Sequence, residues 1–242
     1  MSPSAGSSGA SSAVAVASRS DPPHGATRPG ILRGVADIPF PLADPLADRL
    51  RVAADVEGKI ARALESLGPL AGRDVALVDV PAGPLRDRLA AAGVMGVPVP
   101  LGEPLRLDAP DASLDAVISL WSGFRGVDPA TLAEVDRALR PDGRLLVVHD
   151  YGRDDVCRLG EPDAPEYVTW SRREGPYLRG GGFKVRVVHC FWTFASVEEA
   201  QAFLGEACGE RGTAVGAALK RPRLAWNVAI YHRRRGGLGP VA

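Results

Sequence analysis

Three short, largely aliphatic runs, Val75 to Val80, Ala116 to Leu120 and Arg144 to His149, recur along the chain with helix-patterned segments between them, and this spacing constrains the fold most. Runs of that length without polar alternation suit strands covered on both faces. Parallel strands in turn need helical crossovers to bring the chain back to the same edge. The alternation predicts an α/β architecture, a mostly parallel sheet flanked by helices.

Local signals place the remaining elements. Asp44-Pro45 and Asp128-Pro129 each set a capping residue before a proline at the first helical position. After the first pair, Leu46, Leu50, Ala53, Val56, Ile60, Leu64 and Leu67 recur at helical spacing and predict one amphipathic helix ending at Gly68-Pro69. Leu85, Leu89 and Ala92 mark a short helix closed by Gly93, and Val97 to Leu101 reads as a short strand. Leu132, Val135 and Leu139 mark another helix, turned by Pro141-Asp142-Gly143 into the strand from Arg144. Phe183 to Phe194 and Ala225 to His232 read as strands, with a helix between them opened by the Ser196/Glu199 capping box and running to about Ala207. Tyr151 to Gly182 is polar, proline-broken and long for a plain connection, a kind of segment that tends to cover sites.

Composition narrows the function classes. The 29 Lys+Arg balance 29 Asp+Glu, which argues against a whole-chain nucleic-acid binder. Apolar runs such as Val75 to Val78 fall far short of the roughly 20 residues a membrane-spanning helix needs. Cys157, Cys190 and Cys208 form no Cys-x-x-Cys pair and suggest neither a disulfide framework nor a zinc site, which fits a reducing, cytoplasmic interior. The four histidines, His24, His149, His189 and His232, show no metal-ligand spacing, so no metal is expected. Neither Gly-x-Gly-x-x-Gly nor Gly-Lys-Ser/Thr occurs, so nicotinamide-dinucleotide and P-loop chemistry fail at their first requirement. Residues 1–36 are dominated by Ser, Ala, Gly and Pro and read as a disordered tail. The apolar stretch Ala13 to Ala17 is shorter than a signal-peptide core, while a transit peptide stays open. The folded domain is expected over 37–235, with 236–242 frayed.

Asp111-Ala112-Ser113-Leu114-Asp115-Ala116-Val117-Ile118-Ser119, followed after a helix by Leu139-Arg140-Pro141-Asp142-Gly143-Arg144-Leu145-Leu146-Val147-Val148, resembles the central half of class I S-adenosylmethionine-dependent methyltransferases. The resemblance spans roughly Asp44 to Tyr151. It implies a Rossmann-like methyltransferase fold, S-adenosylmethionine as cofactor, and a small-molecule or macromolecular methyl acceptor; neither a membrane nor nucleic acid is the expected partner. Val75 to Pro84 falls on the family's first strand and glycine-rich turn, so Asp79 and Gly83 would meet the cofactor. Gly102-Glu103 falls on the family's Gly-acid pair after the third strand, so Glu103 would accept from the adenine amino group. Ser119 and Trp121 stand at the carboxyl end of a central strand, the edge where open α/β sheets bind ligands. His149, Asp150 and Tyr151 follow the next strand at that edge, where the family places groups facing the acceptor. There Asp150, with Tyr151 beside it, would act as general base or orient a nucleophile. Plainer readings stand beside these: Asp79 holding the turn, Glu103 exposed in a loop, Trp121 in the core, Asp150 capping a loop.

The chain departs from the family in two places. Gly83 alone remains of the turn glycines, and Pro81 and Pro84 each remove a backbone donor. Between Gly93 and Gly102 there is room for one strand where the family has a strand, a helix and another strand, so the fold is shortened by about one strand-helix unit, and Val94 to Leu101 offers no acid for the ribose hydroxyls. Two functions follow: a methyltransferase of unknown substrate, or a catalytically inactive binding or scaffold protein of the same fold. Two basic clusters, Lys220-Arg221-Pro222-Arg223 and His232-Arg233-Arg234-Arg235, read as solvated edges or as contacts to RNA or phosphate.

Overall fold

The computed structural model describes residues 42–78, 80, 82–100, 104–121, 128–160 and 170–237. The tail read over 1–36, and all but the first two residues of the stretch 236–242, lie outside them. Six strands form one sheet: β1 (Val75–Val78), β2 (Val97–Val99), β3 (Leu114–Ser119), β4 (Leu139–Asp150), β5 (Lys184–Thr193) and β6 (Arg223–Arg234), in the order β2-β1-β3-β4-β6-β5. The first four run parallel, and β6 inserts antiparallel between β4 and β5. The helices are α1 (Asp44–Ala53), α2 (Lys59–Ser66), α3 (Pro84–Ala91), α4 (Pro129–Ala138) and α5 (Val197–Ala217). This is the Rossmann-like α/β architecture expected from the sequence, and among the described residues it has one strand-helix unit fewer than the resembled family's pattern. The only strand described between α3 and β3 is β2, and it pairs directly with β1, Ala76 opposite Val97.

The aliphatic runs became strands because both of their faces are covered. In β4, Leu146 and Val148 point into one apolar cluster with Ile60, Leu64, Trp192 and Trp226, while Leu145 and Val147 point into a second with Val135, Tyr177 and Tyr231. Period-two side chains thus feed two cores, one on each side of the sheet.

Three boundaries differ from the sequence reading. The single helix expected from Asp44 to Leu67 is two, because Ala54 bridges Trp192 and the Asp55 N–H donates to the Phe191 carbonyl (3.0 Å), which pulls the chain onto the β5 edge. Asp55 and Gly58 take left-handed conformations (φ 46° and 65°), and the Asp55 carboxylate restarts the helix by accepting from the Lys59 and Ile60 N–H groups (2.9 and 2.8 Å). The apolar periodicity continued across the break because both helices bury onto one core, Leu50 and Ala53 from α1, Ile60 and Leu64 from α2. Gly58 was the only local sign of it. Further on, β4 starts at Leu139, and Pro141-Asp142-Gly143, expected as a turn, is absorbed as a bulge: the register with β3 jumps from Leu114–Leu139 to Ala116–Arg144. Finally, α5 opens with the expected capping box (Glu199 N–H to Ser196 Oγ, 3.1 Å; Ala195 N–H to Glu199 Oε2, 2.8 Å) but continues past Ala207 to Ala217, broken at Gly209 with φ 57°.

Asp128 caps α4 as expected, accepting from the Thr131 N–H at 2.7 Å. The same helix carries buried Glu134, which accepts from the Leu107 N–H (2.9 Å) and from Arg137 Nε and Nη2 (3.0 and 2.9 Å). The Arg137 guanidinium, helped by that N–H against the cost of burial, holds its carboxyl down to about 2. A depressed carboxyl stabilises the fold above its unfolded value near 4.5 and loses that contribution as pH falls toward 2. With half-exposed Arg137 screened by water, Glu134→Gln should cost about 2 kcal/mol at pH 7 and little near pH 2. Urea unfolding of both proteins at the two pH values checks this; an equal difference at both would refute it.

Candidate functional site

The carboxyl ends of β1, β3 and β4 converge on one edge, and α3 starts there. Gly83 immediately precedes α3 with φ 152° and ψ −178°, a backbone region open essentially to glycine alone. Pro84 then occupies the first turn of α3, where a proline's missing N–H costs no intrahelical bond. A branched side chain here, as in Gly83→Val, strains the backbone itself, about 1–3 kcal/mol of destabilisation before any ligand is met. Asp79 and Glu103 lie outside the described residues.

Ser119, the last residue of β3, is fully buried, and its hydroxyl donates to the Leu120 carbonyl at 3.3 Å. Trp121 is 6 % exposed; it belongs to the apolar core and also walls a crevice. Its indole stacks on Trp226 (centroids 5.5 Å apart, planes 19° apart), and both indole N–H groups donate to Asp150 Oδ1, Trp226 at 2.8 Å and Trp121 at 3.3 Å. Among the described residues nothing donates to Asp150 Oδ2. Burial pushes this carboxyl up to about 6, with the two indole bonds pulling the other way and the nearby Asp154 charge adding to the rise. Asp150 is therefore not the loop cap of the plainer reading. That task falls to Asp154 and Asp155, which accept from the Asn227 and Ala225 N–H groups (2.6 and 3.0 Å) and tie the chain after β4 to β6.

The pleat separates the two residues expected to be catalytic. Asp150 lies with Trp121 and Trp226 on one side of the sheet, whereas Tyr151 packs against the other core and carries Arg153 over its ring at 5.9 Å. His149, also on that second side, is 1 % exposed and hydrogen-bonded to the Tyr177 hydroxyl (3.1 Å), with Trp170 at 4.5 Å between ring centroids. His189, on exposed sheet, donates through Nδ1 to Asn227 Oδ1 (2.7 Å), an orientation set by the Asn227 amide's donation to the Gly152 and Arg153 carbonyls.

The crevice beside Trp121 and Trp226 is closed by Arg51, Asp55, Leu85 and Arg88, and its interior of about 20 Å³ has room for about one water. Arg88 is held there by donating to the Ala54 carbonyl at 3.1 Å. Trp226, Arg51 and Arg88 were not legible as site residues in the sequence; the only signal was that Trp226 falls on the same alternation as other buried β6 positions. Among the described residues no helix is long and apolar enough to cross a membrane, and no group of three or more His, Cys, Asp or Glu could hold a metal ion.

No protein-family model matches the chain, and no curated protein matches it. Solved structures with a similar backbone include a candidate type II methyltransferase from Anaeromyxobacter dehalogenans (19 % identity, TM-score 0.46, 73 % of this chain and 97 % of that one). A candidate methyltransferase from an antibiotic biosynthesis pathway of Anabaena variabilis is similar at 15 % identity and TM-score 0.47, over 75 % and 98 % of the two chains. A SAM-dependent methyltransferase from Aquifex aeolicus is similar at 17 % identity and TM-score 0.40, over 76 % and 92 %.

Proposed function

We propose that the protein is a cytoplasmic S-adenosylmethionine-dependent methyltransferase in which Asp150 takes the proton from an O–H or N–H nucleophile presented beside Trp121 and Trp226. The observation that supports this most is the divided Asp150 carboxylate. Oδ1 is fixed by two indole donors, Oδ2 accepts nothing from the described residues, and the group titrates near 6. A base tuned close to neutral pH and held at one oxygen is suited to accept a proton at the other.

The cofactor reading rests on the sequence resemblance and on Gly83, whose bare backbone at the start of α3 leaves no Cβ between the turn and a ligand. S-adenosylmethionine, when bound, supplies an electrophilic methyl group. Asp79 and Glu103 are the groups proposed to hold it. Glu103 follows β2, which pairs with β1, and stands twenty residues beyond Gly83. About that interval separates the first turn from the ribose-binding acid in nucleotide-binding α/β folds, which favours the ribose hydroxyls over adenine as its partner. Trp121 and Trp226 act as positioning residues: they fix Asp150 Oδ1, so that Oδ2 is the atom that receives the proton. The crevice that the two indoles line has room for about one water and would have to widen to admit donor and acceptor.

Its narrowness is the observation that favours the alternative, an inactive binding or scaffold protein. Calorimetric titration of the full chain with S-adenosylmethionine and S-adenosylhomocysteine separates the two. One equivalent should bind, and Glu103→Gln should weaken binding about ten- to a hundredfold, the worth of one charge-assisted hydrogen bond. No binding at millimolar cofactor would leave the scaffold reading standing.

A further inference from the structure

We propose that the groove between the turn after β4, the end of α5 and the start of β6 binds a small phosphate monoester with an apolar or aromatic body. The site lies outside the methyl-transfer crevice and does not rest on the reading given for it. It encloses about 320 Å³, the size of a small-molecule site. Four cations line it, Arg158, Lys220, Arg221 and Arg223, against one acid, Asp155. That acid is already committed: its Oδ2 accepts from the Ala225 N–H at 3.0 Å and its Oδ1 lies 3.4 Å from Arg158.

Two of the other three cations are not neutralised. Lys220 and Arg221 are exposed and have no ion pair among the described residues, and Arg223 lies over the Phe191 ring at 4.4 Å rather than on a carboxylate. Glu57, whose charge acts on Arg223, is paired with Lys59 at 2.8 Å. The second basic cluster behaves differently. Arg233, buried, makes a two-pronged pair with Asp136 (2.8 and 2.8 Å) and so serves the fold, while exposed Arg234 lies 3.9 Å from Asp142.

Uncompensated like charges converging on a concave surface repel one another and focus the field for an anion. A phosphate dianion can accept from more than one of them at once, with the planar guanidinium forks matched to its oxygens, whereas a single carboxylate would leave two cations unpaired. Val215, Ala218 and Leu219 give the groove an apolar side as well, which suits a ligand with an apolar part. A concave groove of this size accommodates one such molecule, and titration with an oligonucleotide tests that reading against a polymer backbone.

Phenyl phosphate is the minimal probe, titrated into the full chain by calorimetry, with inorganic phosphate and oligouridylate as the other arms. The expected result is saturable binding of phenyl phosphate, weaker binding of inorganic phosphate, and at least tenfold loss in the Lys220→Ala/Arg221→Ala double variant. Both substituted side chains are exposed and unpaired among the described residues, so the variant should melt with wild type and bind S-adenosylhomocysteine as wild type does. Absence of binding at millimolar phenyl phosphate, unchanged affinity in the double variant, or inorganic phosphate binding as tightly as phenyl phosphate would each overturn the proposal. Tighter binding of oligouridylate would overturn it as well, in favour of a nucleic-acid backbone.

Discussion

Trp226→Ala should destabilise the protein by about 3–5 kcal/mol, a large part of the total stability of a domain this size. The side chain is 1 % exposed, stacked on Trp121 at 5.5 Å and set edge-on to Trp192 at 6.2 Å, in a strand bonded on both sides by β4 and β5. Removing it empties the volume of two fused rings from a region where strands cannot move inward. It also takes from Asp150 its shorter hydrogen bond, 2.8 Å, and exposes that carboxylate's burial uncompensated. Trp226→Phe separates the two effects. It keeps most of the apolar volume, so the loss should fall to about 1–3 kcal/mol, the cost of one unmade bond to a charged group. Urea unfolding at pH 7 measures both variants; a Trp226→Ala loss below about 1 kcal/mol would show that the indole does not hold this core.

Asp150→Asn should act in opposite directions on activity and on stability. If Asp150 is the base, methyl transfer to a neutral nucleophile should fall about 10²–10⁴-fold in the variant, and wild-type activity should rise with pH through about 6 as the carboxyl ionises. On stability, the folded-state value lies above the unfolded one, near 3.8. Such a group stabilises the fold fully only below the unfolded value and loses that contribution as pH rises through the folded value. The window is therefore about pH 4 to 6, and the ionised carboxylate costs the wild type about 2–3 kcal/mol above it. Asparagine can still accept the two indole N–H groups and carries no charge, so the variant should be the more stable protein at pH 7 and equal to wild type near pH 4. A pH-independent difference between the two unfolding curves would mean that Asp150 is not buried as an acid. The trade of stability for a poised carboxylate is common at functional sites.

Much of the fold was open to reading in the sequence because it depends on local chemistry. β1 and β3 announced themselves as largely aliphatic runs, and Asp128 and Ser196 formed the caps expected of them. That only β2 is described between α3 and β3 could be anticipated by counting residues, and Asp150 was legible as a candidate because it ends a strand at the carboxyl edge of the sheet.

What stayed hidden depends on contacts between distant parts of the chain. No spacing rule ties Trp226 to Asp150, 76 positions earlier; they meet because β6 runs antiparallel beside β4 with Val228 opposite Asp150. The break between α1 and α2 arose from β5 drawing Ala54 and Asp55 onto its edge, a pull that outweighs helical periodicity only once that edge exists. The two basic clusters look alike as strings of arginine and lysine. Only folding brought Asp136 to Arg233 while leaving Lys220 and Arg221 without an acid among the described residues. Residue order thus determined the alternation of strands and helices and the edge at which the parallel strands end, since backbone propensity and burial period act over a few residues. The tertiary structure alone decided which side chains share that edge, because hydrogen bonds, stacking and charge pairing act on distance in space.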